Sequence, residues 1–281
     1  MDYSLSICFC NCKFILRYFY FSLYLTSTIA WAVTPDANYL STPANFALPY
    51  TQITVNTTDG YELNTWIIPS TVKQSSKRVL IMAYGDTGNM SYWLTQAKAF
   101  CNKGYTLILF DYRGFGKSSY FAIDPSFLYY NEFGTDLACI IEWAKEQFTG
   151  QKVGIYAFSM GTLAATLALQ QQSASFLIAE GFVVNPTVVQ KRLKTVYRKS
   201  VLLPSDAQNY NLALQKLNLP ILLFAGIHDP ITMLNDSKLL VKKQKNSTLI
   251  PFNGKHGEGF TTLSNDKYIN EISLFLLKIG F

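Results

Sequence analysis

Histidine is nearly missing from this chain: His228 and His256 are the only two in 281 residues. Chemistry that needs an imidazole base therefore has few candidates. Charge is also sparse, at 15% of residues against 49% hydrophobic, which excludes a disordered chain and points to one globular core. The net charge of +6 is dispersed, and no basic run is interleaved with aromatics, so nucleic acid is not an expected partner. Cysteine is scarce too. Cys8, Cys10 and Cys12 form a C-x-C-x-C run with no histidine near it, and we read no metal site there. No metal and no cofactor are expected.

An apolar run long enough to cross a bilayer is absent from the start of the chain. Lys13 and Arg17 precede an uncharged stretch, Tyr18 to Val33, rich in apolar and aromatic residues. Its length of about 16 residues falls short of the roughly 20 that a spanning helix needs. It ends in Ala30-Trp31-Ala32, a small-x-small pattern suited to signal-peptide cleavage. Residues 1–32 are therefore expected to be an export signal, making the protein periplasmic or secreted. The alternative is an uncleaved membrane anchor. The folded domain is expected over 33–281, with Cys101 and Cys139 as its cysteines.

What the chain does have is alternation. QITVNT and ELNTWII flank Asp59-Gly60 and predict a hairpin. Strand-like runs then follow at 78–84, 105–112, 152–158, 176–184, 219–227 and 247–252. Helix-like segments separate them, at 91–104, 131–147, 161–172, 232–243 and 267–278. Short β-branched and aromatic runs joined by helices predict a mostly parallel central sheet flanked by helices, an α/β class. Residues 185–218 are too long for a plain connection and are expected to be a small inserted cap.

Ligands of such sheets bind outside the C-terminal ends of the strands, so the loops there carry the candidates. Ala157-Phe158-Ser159-Met160-Gly161 follows a strand and opens a helix. A serine on that turn holds its hydroxyl clear of the sheet, provided its neighbours are tiny. Asp229 lies just after the 219–227 run, and His256 in a glycine-rich loop after the last strand. His228 directly precedes Asp229, so the two can hardly pair, and His256 is the better base. The order Ser, Asp, His follows one specific fold.

Together with FDYRGFGKSS (110–119) and YGDTGNM (84–90), these motifs resemble those of the α/β-hydrolase family. The likeness runs from about residue 50 to the C-terminus. The nearest subgroup is the esterase, lipase and thioesterase-like set with an N-terminal membrane-directed segment. The resemblance implies a serine hydrolase acting on a small-molecule or lipid acyl substrate through an acyl-enzyme. Ser159 would be the nucleophile, His256 the base and Asp229 its orienting acid. Backbone N–H groups of Met160 and Asp86 would bind the oxyanion, and Gly85, Asp111, Arg113 and Gly161 would support the site. Tyr84 stands where the family usually has a histidine, and an acidic Asp86 is awkward beside a developing oxyanion. In the family arrangement Cys101 and Cys139 fall on opposite faces of the sheet, so both are expected to be free thiols. A serine peptidase on the same fold, and a non-catalytic binding protein, stay open. The basic stretch at 188–200 reads as a solvated helix face over the pocket, with contact to an anionic membrane surface as the alternative.

Overall fold

The computed structural model describes residues 32–72 and 77–281. The cysteine run and most of the apolar N-terminal stretch lie outside them. Among the described residues, no helix is long and apolar enough to cross a membrane.

In chain order the elements are β1 (Thr34–Pro35), β2 (Thr51–Asn56), β3 (Glu62–Ile68), β4 (Arg78–Ala83), β5 (Thr87–Gly88), α1 (Leu94–Cys101) and β6 (Tyr105–Phe110). Then come α2 (Tyr130–Gln147), β7 (Lys152–Phe158), α3 (Met160–Gln171), β8 (Leu177–Glu180), α4 (Pro186–Tyr197) and α5 (Tyr210–Gln215). The chain closes with β9 (Ile221–Gly226), α6 (Leu234–Lys243), β10 (Ser247–Phe252), α7 (Gly259–Leu263) and α8 (Asn265–Lys278).

Eight strands form one sheet in the order β10-β9-β8-β7-β4-β6-β3-β2. The β2–β3 and β3–β6 pairings are antiparallel, and all the others are parallel. This is the α/β-hydrolase fold, with the hairpin at one edge as its sequence suggests. Burial explains the arrangement. The central strands β4, β6 and β7 read as continuous apolar runs because helices cover both faces. Edge strand β2, TQITVN, buries only Val55, as an exposed edge requires. Helix α1 packs on α8, and α2 packs on α3, which puts Cys101 and Cys139 in separate helical layers.

The strand that differs most from its sequence reading is β8. The apolar run 176–184 predicts nine residues, but the strand stops at Glu180. Gly181 adopts a φ of 63°, which turns the chain out of the sheet, and Phe182 and Val183 are buried beyond it. The run reflects burial on both sides of a turn, which periodicity alone cannot separate from a longer strand.

Both described cysteines are free and buried. Burial pushes the Cys101 thiol up to about 12 and raises that of Cys139. The thiolate is the reactive form. We therefore expect neither residue to react with iodoacetamide in the native protein at mildly alkaline pH, and both to react after denaturation. Peptide mapping of the alkylated chain reads each position separately. A Cys101–Cys139 cross-link in the unreduced protein would overturn the layer assignment.

Candidate active site

Three loops at the C-terminal edge of the sheet meet over β7. Ser159 occupies the turn between β7 and α3 with φ 51° and ψ −116°, a conformation that costs a non-glycine residue about 1–3 kcal/mol. The surroundings enforce it. The Ser159 N–H donates to the Glu180 carbonyl at 3.1 Å, and the Ser159 carbonyl accepts from Thr162. Ala157 is fully buried below the turn. Gly161 lies so close to β4 that a Cβ there would sit 1.9 Å from the Ala83 carbonyl oxygen. Gly161→Ala is therefore expected to destabilise the fold by the upper end of the about 1–3 kcal/mol typical of overpacking, and to lower activity with it. A melting temperature equal to wild type would contradict the close approach.

His256 reaches this turn from the loop between β10 and α7. Its Nε2 lies 2.9 Å from Ser159 Oγ, and its Nδ1 lies 2.7 Å from Asp229 Oδ2. Asp229, just after β9, is buried. Burial pushes its carboxyl up, but hydrogen bonds from His256, Thr232 and the Ile231 N–H outweigh that and hold it below its ordinary value. The stability this carboxylate contributes is thus present above its unfolded pKa and fades as pH falls through the lower folded one. His228 is exposed, with Nε2 3.0 Å from Asn253 Oδ1, and takes no part in this cluster. Nor does it line the cleft beside Ser159.

Ser159 and His256 line a cleft walled mainly by apolar side chains including Leu163, Val183, Val189 and Leu193. Helix α4 forms one wall. It starts cleanly because Asn185 caps the N–H groups of Thr187 and Val188, and Pro186 follows at the first turn.

Met160 and Asp86 also line this cleft. Neither backbone N–H engages a protein acceptor among the loop and turn bonds of the described residues. Met160 opens α3, so its N–H has no partner within the helix. Asp86 keeps its carboxylate 3.2 Å from Lys199 Nζ, just past α4. Positive charge thus meets the acidic side chain that looked awkward in sequence.

The supporting residues act at one remove. Asp111, fully buried, accepts from the Met90 N–H at 2.9 Å, the Tyr84 hydroxyl at 3.2 Å and the Tyr39 hydroxyl. It therefore pins both ends of the 84–90 loop, and Tyr84 spends its hydroxyl there rather than in the cleft. Gly85 lets that loop lie against Phe158, whose ring would be 3.2 Å from an added Cβ. Arg113 is buried between Asp136 and Asp59, each at 2.6 Å, and braces the following loop instead of touching the cleft.

Three participants escape the sequence reading. The Thr232 hydroxyl donates to Asp229 Oδ2 at 2.6 Å, a contact within one turn that the Asp229-Pro230 sequence does not announce. Glu180 is buried behind the histidine loop. Its Oε1 accepts the Gly259 N–H and its Oε2 the Tyr268 hydroxyl, each at 2.8 Å. Burial raises its carboxyl above the ordinary value, although these bonds and nearby His256 pull the other way. A lone glutamate inside an apolar run was the available signal. Finally, Ala32 lines the cleft, and Thr34 donates to the Asp86 carbonyl at 2.8 Å. The start of the domain is thereby stitched to the 84–90 loop.

The arrangement can move a proton from a serine hydroxyl to an imidazole whose far nitrogen is fixed by a buried carboxylate. Among the described residues no cluster could hold a metal ion.

A family model described as alpha/beta hydrolase fold matches residues 78–186. The chain is 24% identical over 228 residues to a protein of Escherichia coli O157:H7 named YfhR, covering 78% of each. It is 35% identical over 96 residues to a probable lysophospholipase L2 of Haemophilus influenzae, spanning 33% of this chain and 30% of that protein. Among solved structures, an esterase of Pyrococcus furiosus, Pf2001, superposes with a TM-score of 0.71 at 18% identity, covering 87% of this chain and 99% of the esterase.

Proposed function

We propose that this chain, an α/β-hydrolase by fold, is a serine hydrolase that cleaves a carboxylic ester or thioester through an acyl-enzyme. The observation that carries the reading is the hydrogen-bonded line from Ser159 through His256 to Asp229, at 2.9 and 2.7 Å, opening into an apolar cleft. Ser159 attacks the acyl carbonyl while His256 takes its proton. The imidazolium then returns that proton to the leaving group, and Asp229 holds the ring throughout. The N–H groups of Met160 and Asp86 receive the oxyanion. Water repeats the sequence to release the acid. The cleft walls suit an acyl chain, and the names of the Pyrococcus esterase and the Haemophilus lysophospholipase agree with ester chemistry.

A fluorophosphonate probe tests the nucleophile: labelling at Ser159 is expected, and its failure would favour a binding protein that kept the fold. A panel of short and long acyl esters, thioesters and aminoacyl amides tests the substrate. Turnover of amides alone would replace the esterase reading with a peptidase.

Lys199 offers a finer test. With its ammonium gone, the Asp86 carboxylate faces the oxyanion without compensation. Lys199→Met should lower kcat about tenfold, a part of the 10²–10³ that one oxyanion donor supplies, with little change in melting temperature. An unchanged kcat would remove Asp86 from the oxyanion site.

A further inference from the structure

We infer that the outer face of α4 and the segment following it form a docking surface for an anionic lipid bilayer. Between Pro186 and Leu203 the chain carries Lys191, Arg192, Lys194, Arg198 and Lys199 and no acidic residue. Two of these are committed within the protein: Arg192 pairs with Asp236, and Lys199 with Asp86. Lys191, Lys194 and Arg198 are exposed and enter none of the ion pairs of the described residues. Lys191 and Lys194 are three positions apart and share a stripe of the helix. That stripe is turned away from Val189 and Leu193, which face the cleft. A solvated helix face would need only the charges. This one also presents apolar surface: Val188, three positions before Lys191, and Tyr197, three after Lys194, are 37% and 51% exposed, and Leu202 just beyond the helix is 52% exposed. Basic side chains beside exposed aliphatic and aromatic ones are the composition of an interfacial surface.

The place where the chain enters the domain selects the partner. Ala32 is 2% exposed and donates to the Pro125 carbonyl at 2.5 Å. The next residue but one along that same segment, Phe127, bridges to Leu202, and Leu202 itself donates to the Ser126 carbonyl at 2.8 Å. The apolar stretch Tyr18 to Val33 therefore joins the domain beside the exposed end of the basic face. A membrane-directed segment and a basic, partly apolar patch at one location both suit a bilayer with anionic headgroups. An acidic protein partner would account for the charges but leave that juxtaposition unexplained.

Amide hydrogen exchange on the full chain tests this without relying on turnover, so it stands or falls separately from the hydrolase reading. The chain is placed on vesicles of phosphatidylcholine alone or of phosphatidylcholine mixed with phosphatidylglycerol. Amides of residues 188–203 should exchange more slowly on the anionic vesicles, while α8, which packs on α1, should not change. Each basic side chain near an anionic surface is worth about fivefold in binding. The variant with Lys191→Gln, Lys194→Gln and Arg198→Gln should therefore lose the protection, as should the wild type in high salt. These three side chains are exposed and lie outside the cleft lining, so the variant's melting temperature should match wild type and report an intact fold. Equal exchange on both vesicle types would overturn the proposal. So would protection that survives the triple substitution, or protection that appears equally at α8.

Discussion

Ser159→Ala should lower ester turnover by about 10⁴–10⁶ with the fold left intact, the scale expected when a triad nucleophile is removed. The chemistry has no substitute at that point. The hydroxyl sits 2.9 Å from the base, on a turn whose backbone is held by the Glu180 carbonyl below and Thr162 beyond. The backbone N–H of Met160 does not depend on the serine side chain. Residual activity should then reflect substrate binding and the oxyanion donors alone. Alanine keeps the Cβ, so the backbone strain at φ 51° is unchanged, and the melting temperature should stay close to wild type. Steady-state kinetics with the best ester of the panel, beside thermal unfolding, makes the measurement. Turnover within about tenfold of wild type would sink Ser159 as nucleophile.

The two histidines should separate sharply. On the proposed mechanism, His256→Ala removes the group that both accepts the serine proton and protonates the leaving group, so a loss of about 10⁴ or more in kcat is expected. His228→Ala should stay within about threefold of wild type, because that side chain is exposed and bonded to Asn253. The comparison is internally controlled, since both residues lie on loops at the same edge of the sheet. Equal losses would point to a shared structural effect, and reversed losses would move the base to position 228.

The sheet and its principal loops were legible because their signals are local. Continuous apolar runs of strand length mark β4, β6 and β7, and the turn residues around Asp59-Gly60 mark the hairpin. Ser159, Asp229 and His256 could be singled out because each follows a strand and because histidine is so rare here. The structure brings Ser159 and Asp229 within hydrogen-bonding reach of opposite nitrogens of His256. The contacts that tune the cleft carry no such mark. Lys199 meets Asp86 across 113 positions, and Tyr39 meets Asp111 across 72. Such pairings depend on where two unrelated loops end up, which no periodicity records. Glu180 was hidden for a related reason, since one acidic residue inside FLIAEGFVV reads equally as strand or as the beginning of a turn. The entry segment at Ala32 and Thr34 was hidden by its brevity, because β1 is only two residues long.

The spacing of the hydrogen-bonded line along the chain has a bearing on biosynthesis. Ser159 and His256 are 97 positions apart, and Glu180 and Tyr268, which back the histidine loop, are 88 apart. A ribosome delivers the chain from its N-terminus, so the serine emerges well before its base and before the tyrosine that steadies the base's loop. A nascent or prematurely terminated polypeptide would carry a hydroxyl without a proton acceptor and could not attack acyl groups in the compartment where it is made. On the proposed mechanism, competence would arrive only once α8, which carries Tyr268, has been delivered.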